Sequence, residues 1–556
     1  MQGSIALVLH AHLPFVRHPE RAESLEERWL FEALTETYLP LLDMLAALEH
    51  DRVGAPFTIS LSPTLLAMLG DRLLRQRYVT HLDRLIGLSE REERRTRTEP
   101  AWHRCAEMYL QQLTRARASF LGDWRQDIAG ALRGHQERGR IEIITTAATH
   151  AVLPLLAASP ALMRAQIALG ATEYRRYFGH PSPGFWLPEC AYEPGLDTEL
   201  ARFGFRYFVL ETHGLTHATP RPVYGAYAPI ACPSGVAAFG RDPDSATQVW
   251  SAEVGYPRDP WYRDFHRDIG FDLPEDALQP FATGARRTAT GLKYHRITGA
   301  TDEKQPYDPA RARARATEDA VHFVDSRRAQ VAWLCRNMDR SPIVVCPYDA
   351  ELFGHWWFEG PRWLEEVLRR IAATPDLSAT TLSAELDRHP ILQEAAPAAS
   401  TWGANGHRDV WLGTANDWIY PHLDAAAARL VRLSCTGPAA ADPASRRALA
   451  QALRELLLAQ ASDWAFMMSR DTAVEYATHR GGEPDAVPAA LRCRRTGHRR
   501  RRGAGAARGS TRSLPGARPP HPLLTFDPLS VLDPCRRVRV LACRPRSWRS
   551  CFFRWH

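Results

Sequence analysis

Ser4-Ile5-Ala6-Leu7-Val8-Leu9-His10-Ala11-His12-Leu13-Pro14 stands near the start of the chain, and its reading sets the fold class. Ile5 to Leu9 are consecutively apolar with no helical spacing. Runs of this kind belong to strands buried on both faces, as in parallel sheets. His10 and His12 follow at the C-terminal end. Five further runs repeat the pattern: Phe57 to Pro63, Ile141 to Thr146, Phe185 to Glu189, Tyr207 to Glu211 and Ile343 to Asp349. Stretches with apolar residues at three- and four-residue steps, such as Leu25 to Glu49 and Ala161 to Phe178, separate most of them. Strands alternating with helices predict βα units on a parallel sheet. Polar residues gather at the strand ends: His10 and His12, Ser62, Thr146 to His150, Glu189, Glu211 and Asp349. That end holds the active site in barrels and in open α/β sheets. Ser62 reads as a helix cap; the histidine pair, Glu189 and Asp349 read as functional.

Composition narrows the class. At 45% hydrophobic and 24% charged residues, the chain is neither disordered nor collagen-like. No run approaches the ~18 apolar residues of a membrane span. The first ten residues have no basic n-region and too short an apolar stretch for a signal peptide. The formal charge of +7 is unevenly placed: residues 481–556 hold 17 Arg, no Lys and four acidic residues, so the body is mildly acidic. A nucleic-acid partner is therefore not expected, nor is a membrane. Six body cysteines (105, 190, 232, 335, 346 and 435) lack CxxC spacing, which suits reduced thiols and a cytoplasmic enzyme.

The chain divides into a catalytic α/β barrel over 1–400, with a helical insertion near 71–138 and a second insertion near 255–325. A helical C-terminal domain spans 405–480. Residues 481–556 form an Arg/Pro-rich tail with no sustained periodicity, which reads as disordered or as non-native sequence.

Two segments carry the chemistry. Phe185-Trp186-Leu187-Pro188-Glu189-Cys190-Ala191-Tyr192 puts a carboxylate just past a strand among aromatics, where its pKa is tunable. Tyr348-Asp349-Ala350-Glu351-Leu352-Phe353-Gly354-His355-Trp356-Trp357 ends another strand in a carboxylate and continues into a histidine and a tryptophan pair. Adjacent tryptophans cannot both face one way, so at least one is exposed or in a cleft. Carboxylates on two strands near aromatic planes suit glycoside chemistry, with one as nucleophile and the other as acid/base. Sixteen tryptophans strengthen the sugar reading, and Trp29, Trp261, Trp402, Trp411, Trp418 and Trp464 are candidate groove walls. Asp463 beside Trp464 is a candidate glucan contact, against a surface or capping role. His10 and His12, at i and i+2 on a strand end, also allow a metal, and with it a metal-dependent polysaccharide deacetylase. No third ligand of HxxxH type accompanies them.

At these residues the chain resembles glycoside hydrolase family 57, and within it the 1,4-α-glucan branching enzymes. The matching pieces are His10 to Pro14, Gly139 to Thr146 with His150, Trp186 to Tyr192, Tyr348 to Trp357, and Ser462-Asp463-Trp464. The resemblance implies a distorted, TIM-like (β/α)7 barrel with a helical C-terminal domain. It implies a retaining mechanism with Glu189 as nucleophile, Asp349 as acid/base, and no metal or other cofactor. The implied partner is an α-glucan such as amylose or glycogen. Substrate contacts are implied for His10, His12, Trp29, His150, Trp186, Trp261, His355, Trp357, Trp402, Trp411, Trp418, Asp463 and Trp464. The same scaffold serves α-amylases and 4-α-glucanotransferases. Branching enzymes of the family resemble one another in a Tyr-tipped loop over the cleft. Its expected place here is Ser234 to Gln248, where Phe239 stands and no Tyr does. The tail after Arg480 matches nothing in the family.

Overall fold

In the computed structural model, which describes residues 2–251, 253–279, 281, 287–435 and 443–482, the first strand is central. All nine residues of β1 (Gly3–Ala11) are buried, as its apolar run predicts. It pairs in parallel with β2 (Phe57–Leu61) on one side and with β8 (Ile343–Asp349) on the other. From β2 the sheet continues through β3 (Ile141–Thr146), β4 (Gly184–Trp186), β5 (Tyr207–Leu210) and β7 (Ala237–Gly240), every step parallel. Seven parallel strands in the order β7-β5-β4-β3-β2-β1-β8 thus curl into a distorted (β/α)7 barrel. Three short strands sit outside that set. β6 (Ile230–Ala231) forms an antiparallel hairpin with β7, β9 (Leu377–Ala379) pairs with the start of β1, and β10 (Gln393–Glu394) pairs with β6.

Among the described residues no ladder joins β7 to β8. The Asp242 N–H instead donates to the Val345 carbonyl at 2.9 Å, and a buried Arg327–Asp242 ion pair at 2.9 Å braces the seam. The stretch Ser234 to Gln248 corrects an expectation. It contains β7, with Phe239 buried in the sheet, and the helix Pro243–Trp250, so it is barrel framework and not a loop over the cleft.

Two long helices, Arg72–Arg95 and Pro100–Leu121, form the insertion after β2. The helix Ile128–Glu137 returns the chain to β3, where Gln136 accepts from the Ile143 N–H at 2.9 Å. The irregular part of the second insertion ends at Asp308, which caps the 29-residue helix Pro309–Asn337 leading into β8. Helices Ile419–Cys435, Pro443–Ala459, Ser462–Ser469 and Val474–Gly482 make up the C-terminal region. It docks on the barrel directly: the Ser462 N–H donates to the His150 carbonyl at 3.1 Å, and Ala151 bridges Ala461. The tail from 483 onward lies outside the described residues.

The stretch Leu25 to Glu49 is helical as expected, with one irregularity. Its middle, Leu34–Tyr38, is a wide π turn between Glu27–Ala33 and Leu39–His50. The turn presses against Gly354, whose φ is +119°. A Cβ there would lie 1.7 Å from the Glu36 carbonyl oxygen. Gly139, at φ +69°, has nothing within 4 Å of the same position. Gly139→Ala carries only the left-handed penalty of about 1–2 kcal/mol. Gly354→Ala adds a backbone clash and is expected to cost at least about 3 kcal/mol. Thermal unfolding of the two variants side by side checks this; equal melting temperatures would refute it.

Candidate active site

The barrel register brings the strand-end residues to one level. His10 pairs with Ser60 on β2 and with Asp349 on β8. Glu189 follows β4 on the tight turn Pro188–Cys190, at φ 60° and ψ 22°. Cys190 and His150 also hold positive φ, 48° and 59°. Glu189 and Cys190, two adjacent non-glycine residues in left-handed conformations, mark a turn whose shape is imposed by its surroundings, and His150 holds the same conformation on a separate segment beside Glu189.

The histidines form an ordered stack. His10 lies on Trp186 with centroids 4.6 Å apart, and His150 lies on His12 at 4.0 Å. His10 Nε2 and His150 Nε2 are 2.8 Å apart, so only one of them carries a proton. Burial, then the charge on His12, pushes both of these rings well below the ordinary histidine pKa, so both are neutral. Ser462 favours the ionised form of Glu189, and His150 Nδ1 faces the same carboxylate at 3.7 Å from Oε1. A proton on His150 Nδ1 therefore meets both that anion and Ser462 Oγ, at 2.8 Å. His150 Nε2 therefore accepts from His10 Nε2–H, and His10 Nδ1 accepts from Ser60 Oγ–H at 3.2 Å. One direction of protons runs from β2 to the nucleophile candidate.

His12 behaves differently. Burial alone would lower its pKa, but Asp463 outweighs that and raises it. The His12–Asp463 contact is 3.0 Å, and His12 Nδ1 lies 2.9 Å from Ser62 Oγ. Ser62 is the expected cap, accepting from the Leu65 N–H, and it also orients His12. Among the described residues, His12, His150 and Asp463 have ligand atoms within 4.8 Å of one another, the geometry of a possible metal site. Their donors are already engaged: both His150 nitrogens, and the His12 face toward Asp463. An ion there would have to break these contacts.

The two carboxylates differ in how strongly each holds a proton. Burial raises the pKa of Glu189, while the Trp402 indole N–H at 2.8 Å and Ser462 restrain the rise. Asp349 is pushed well above the ordinary carboxylate range by burial, then by the charges of Glu351 and Glu189. The Glu189 charge is thus among those that raise Asp349, and Asp349 is the better proton holder of the two. Arg241, paired with Glu211 at 3.0 Å, is the cation that acts on Asp349 in the opposite sense.

Several tryptophans differ from the sequence expectation. Trp186, Trp357, Trp411 and Trp464 are at most 2% exposed and have no face to offer a sugar. Trp186 backs His10, Trp357 packs on Tyr262, and the Trp464 indole donates to the Leu458 carbonyl. The exposed member of the adjacent pair is Trp356, stacked on Trp250 at 5.9 Å. Trp29, Trp261, Trp402 and Trp418 remain accessible, with Trp261 flanked by Arg296 and Arg311. His355 is held by Glu36 at 2.7 Å and meets Phe265 edge-on. Ser60, Ser462, Arg241, Tyr38 and Glu351 were not singled out by the sequence reading. Of these, Glu351 and Ser462 stood in quoted motifs, Glu351 two residues from Asp349 and Ser462 next to Asp463.

The model for glycosyl hydrolase family 57 matches residues 6–390, and that for the C-terminal region of 1,4-alpha-glucan branching enzymes matches 422–484. A 1,4-alpha-glucan branching enzyme of Thermococcus kodakarensis is 34% identical over 513 residues, covering 86% of this chain and 72% of its own. An alpha-amylase of Thermotoga maritima superposes with TM-score 0.83 at 41% identity, covering 89% of this chain and 94% of that one. A branching enzyme of this family from Pyrococcus horikoshii superposes with TM-score 0.78 at 32% identity, covering 87% and 88%.

The Trp402 bond generates a pH prediction. It favours the charged form of Glu189, so Trp402→Phe raises the pKa of Glu189. A nucleophile must be ionised, so the acidic limb of kcat/KM is expected to move up by about one pH unit. A pH–rate profile of the variant checks this, and an unmoved acidic limb would refute it.

Proposed function

The chain belongs to glycosyl hydrolase family 57, and we propose that it is a retaining 1,4-α-glucan branching enzyme. The observation that supports this best is that Glu189 and Asp349, both at the C-terminal ends of barrel strands, lie near enough for the charge of Glu189 to raise the pKa of Asp349. Glu189 attacks C1 of an α-1,4-linked glucose while Asp349 protonates the departing O4. The donor chain is then esterified to Glu189, and Asp349 is left as a carboxylate. The 6-hydroxyl of a second glucan attacks C1, Asp349 takes its proton, and Glu189 leaves. Two inversions retain the α configuration and create an α-1,6 branch. His10 and His150 use their ring nitrogens on one another, Ser60 and Ser462 and so back the site, while His12, its pKa raised by Asp463, offers the polar contact beside them. Amylose and glycogen are the proposed glucans and glycogen synthesis the proposed setting. A cytoplasmic location agrees with the five free cysteines among the described residues. No described helix is long and apolar enough to cross a membrane.

Hydrolysis is the second reading. The likeness to an alpha-amylase at 41% identity favours it. Water then competes with the acceptor hydroxyl for the glucosyl–enzyme. Incubation with amylose is expected to yield both α-1,6 linkages, read by NMR, and new reducing ends. Reducing ends without branches would reject transfer. Glu189→Gln and Asp349→Asn are each expected to lower turnover by at least ~10³-fold; a variant retaining near-normal activity would reject its assignment. Chelation with EDTA is expected to leave activity unchanged, and a loss reversed by added divalent metal would revive the deacetylase chemistry.

A further inference from the structure

Glu351 lies on the short turn Ala350–Leu352, immediately after Asp349, and is buried. Its Oε1 accepts from two groups, the His12 main-chain N–H at 3.1 Å and the Tyr38 hydroxyl. Tyr38 ends the wide turn Leu34–Tyr38. An inserted residue of this kind rotates everything after it relative to an ordinary helix, and such turns recur at functional sites. Here the same turn grips the Asp349 loop at three points. Tyr38 holds Glu351, the Glu36 carbonyl packs against Gly354, and the Glu36 carboxylate holds His355 at 2.7 Å. Glu36 is itself anchored by Arg263 at 2.8 Å. A buried carboxylate held by two donors, one of them the main chain of a proposed substrate-binding strand end, is more than a packing group.

We propose that Glu351 is a positioning residue for the acid/base: gripped by Tyr38 and the His12 amide, it fixes the turn that carries Asp349 and governs when Asp349 releases its proton. The proposal rests on the assignment of Asp349 as acid/base. Facing Glu351 are Tyr38 from the wide turn, His12 from the end of β1 and Asp349 on its own turn. Glu189, Asp463 and Arg241 reach Asp349 from other elements. Burial pushes Glu351 itself up to about 7, with Tyr38 and His12 opposing the rise. Above that pH Glu351 is ionised, and its charge makes proton loss from Asp349 harder. The enzyme thereby keeps a protonated acid into the pH range where a lone carboxylic acid would have lost it.

The test is the pH dependence of kcat for amylose cleavage, read as loss of iodine colour, which transfer and hydrolysis share. Glu351→Gln removes the charge, so the basic limb is expected to move down by about one pH unit with KM within about two-fold. Tyr38→Phe removes the donor that favours ionised Glu351, and is expected to move the limb the same way by less. Glu351→Asp keeps the charge but shortens the reach, so kcat is expected to fall while the limb stays nearer the wild-type position. A fall in kcat with an unmoved basic limb in both Glu351→Gln and Tyr38→Phe would overturn the proposal. Should Glu351→Gln fail to fold, the Tyr38→Phe limb decides alone. Asp349→Asn is measured alongside: its inactivity supports the acid/base assignment independently, and its activity would overturn that assignment and this proposal with it.

Discussion

The parallel ladder between β1 and β8 runs from Ser4 opposite Ile343 to His10 opposite Asp349. It joins residues more than 300 positions apart, and the rest of the site takes its place from it. A slip of one residue would turn Asp349 away from the cavity and point its neighbour inward, because side chains alternate along a strand. The slip is opposed from both sides. β1 is buried on both faces and is held on its other edge by β2, where His10 meets Ser60. The buried apolar run that announces the fold in the sequence is thus also the part that registers the chemistry.

The C-terminal region completes what the barrel begins. His12 comes from the first strand and Asp463 from a helix over 450 residues later, and their contact decides the charge of the histidine stack. Burial first, and His12 second, hold His10 and His150 well below the ordinary histidine pKa, and a neutral pair can pass a single hydrogen-bond direction through to Ser462 and Glu189. Removing the helical region would leave His12 without its anion and His150 without Ser462. The helical domain is therefore part of the catalytic apparatus in an electrostatic sense, even though the carboxylates belong to the barrel.

Legibility in the sequence followed local signal strength. Six of the seven barrel strands stood out because each is a run of large apolar residues, and Ile141 to Thr146 matches its strand residue for residue. β7 was missed because Ala237-Ala238-Phe239-Gly240 carries little side-chain bulk and is a strand through its pairing with β5. The polar strand ends were readable for the same reason as the strands: they interrupt apolar runs. Tryptophan roles were not, since exposure depends on what packs over a ring. Trp356 and Trp357 are neighbours in sequence and opposite in burial. Tyr38 and Glu351 were invisible as a pair because a wide turn, which no periodicity announces, brings them together.

With Glu189 as the proposed nucleophile and Asp349 as the proposed acid/base, the coupling that raises the Asp349 pKa also accounts for a change of role. Before reaction, Glu351, Glu189 and Asp463 all place negative charge near Asp349, and Arg241 acts against them. The acid is therefore strongly held at the moment it must donate. When Glu189 becomes an ester with the sugar, its charge disappears, and the pKa of Asp349 falls by that contribution. Having just given its proton to the leaving oxygen, Asp349 is now more stable as a carboxylate and is ready to act as a base. Departure of the product restores the charge on Glu189 and with it the affinity of Asp349 for the proton taken from the acceptor. On the proposed assignment, one residue can serve as acid and then base because its partner's charge is switched off and on by the reaction itself.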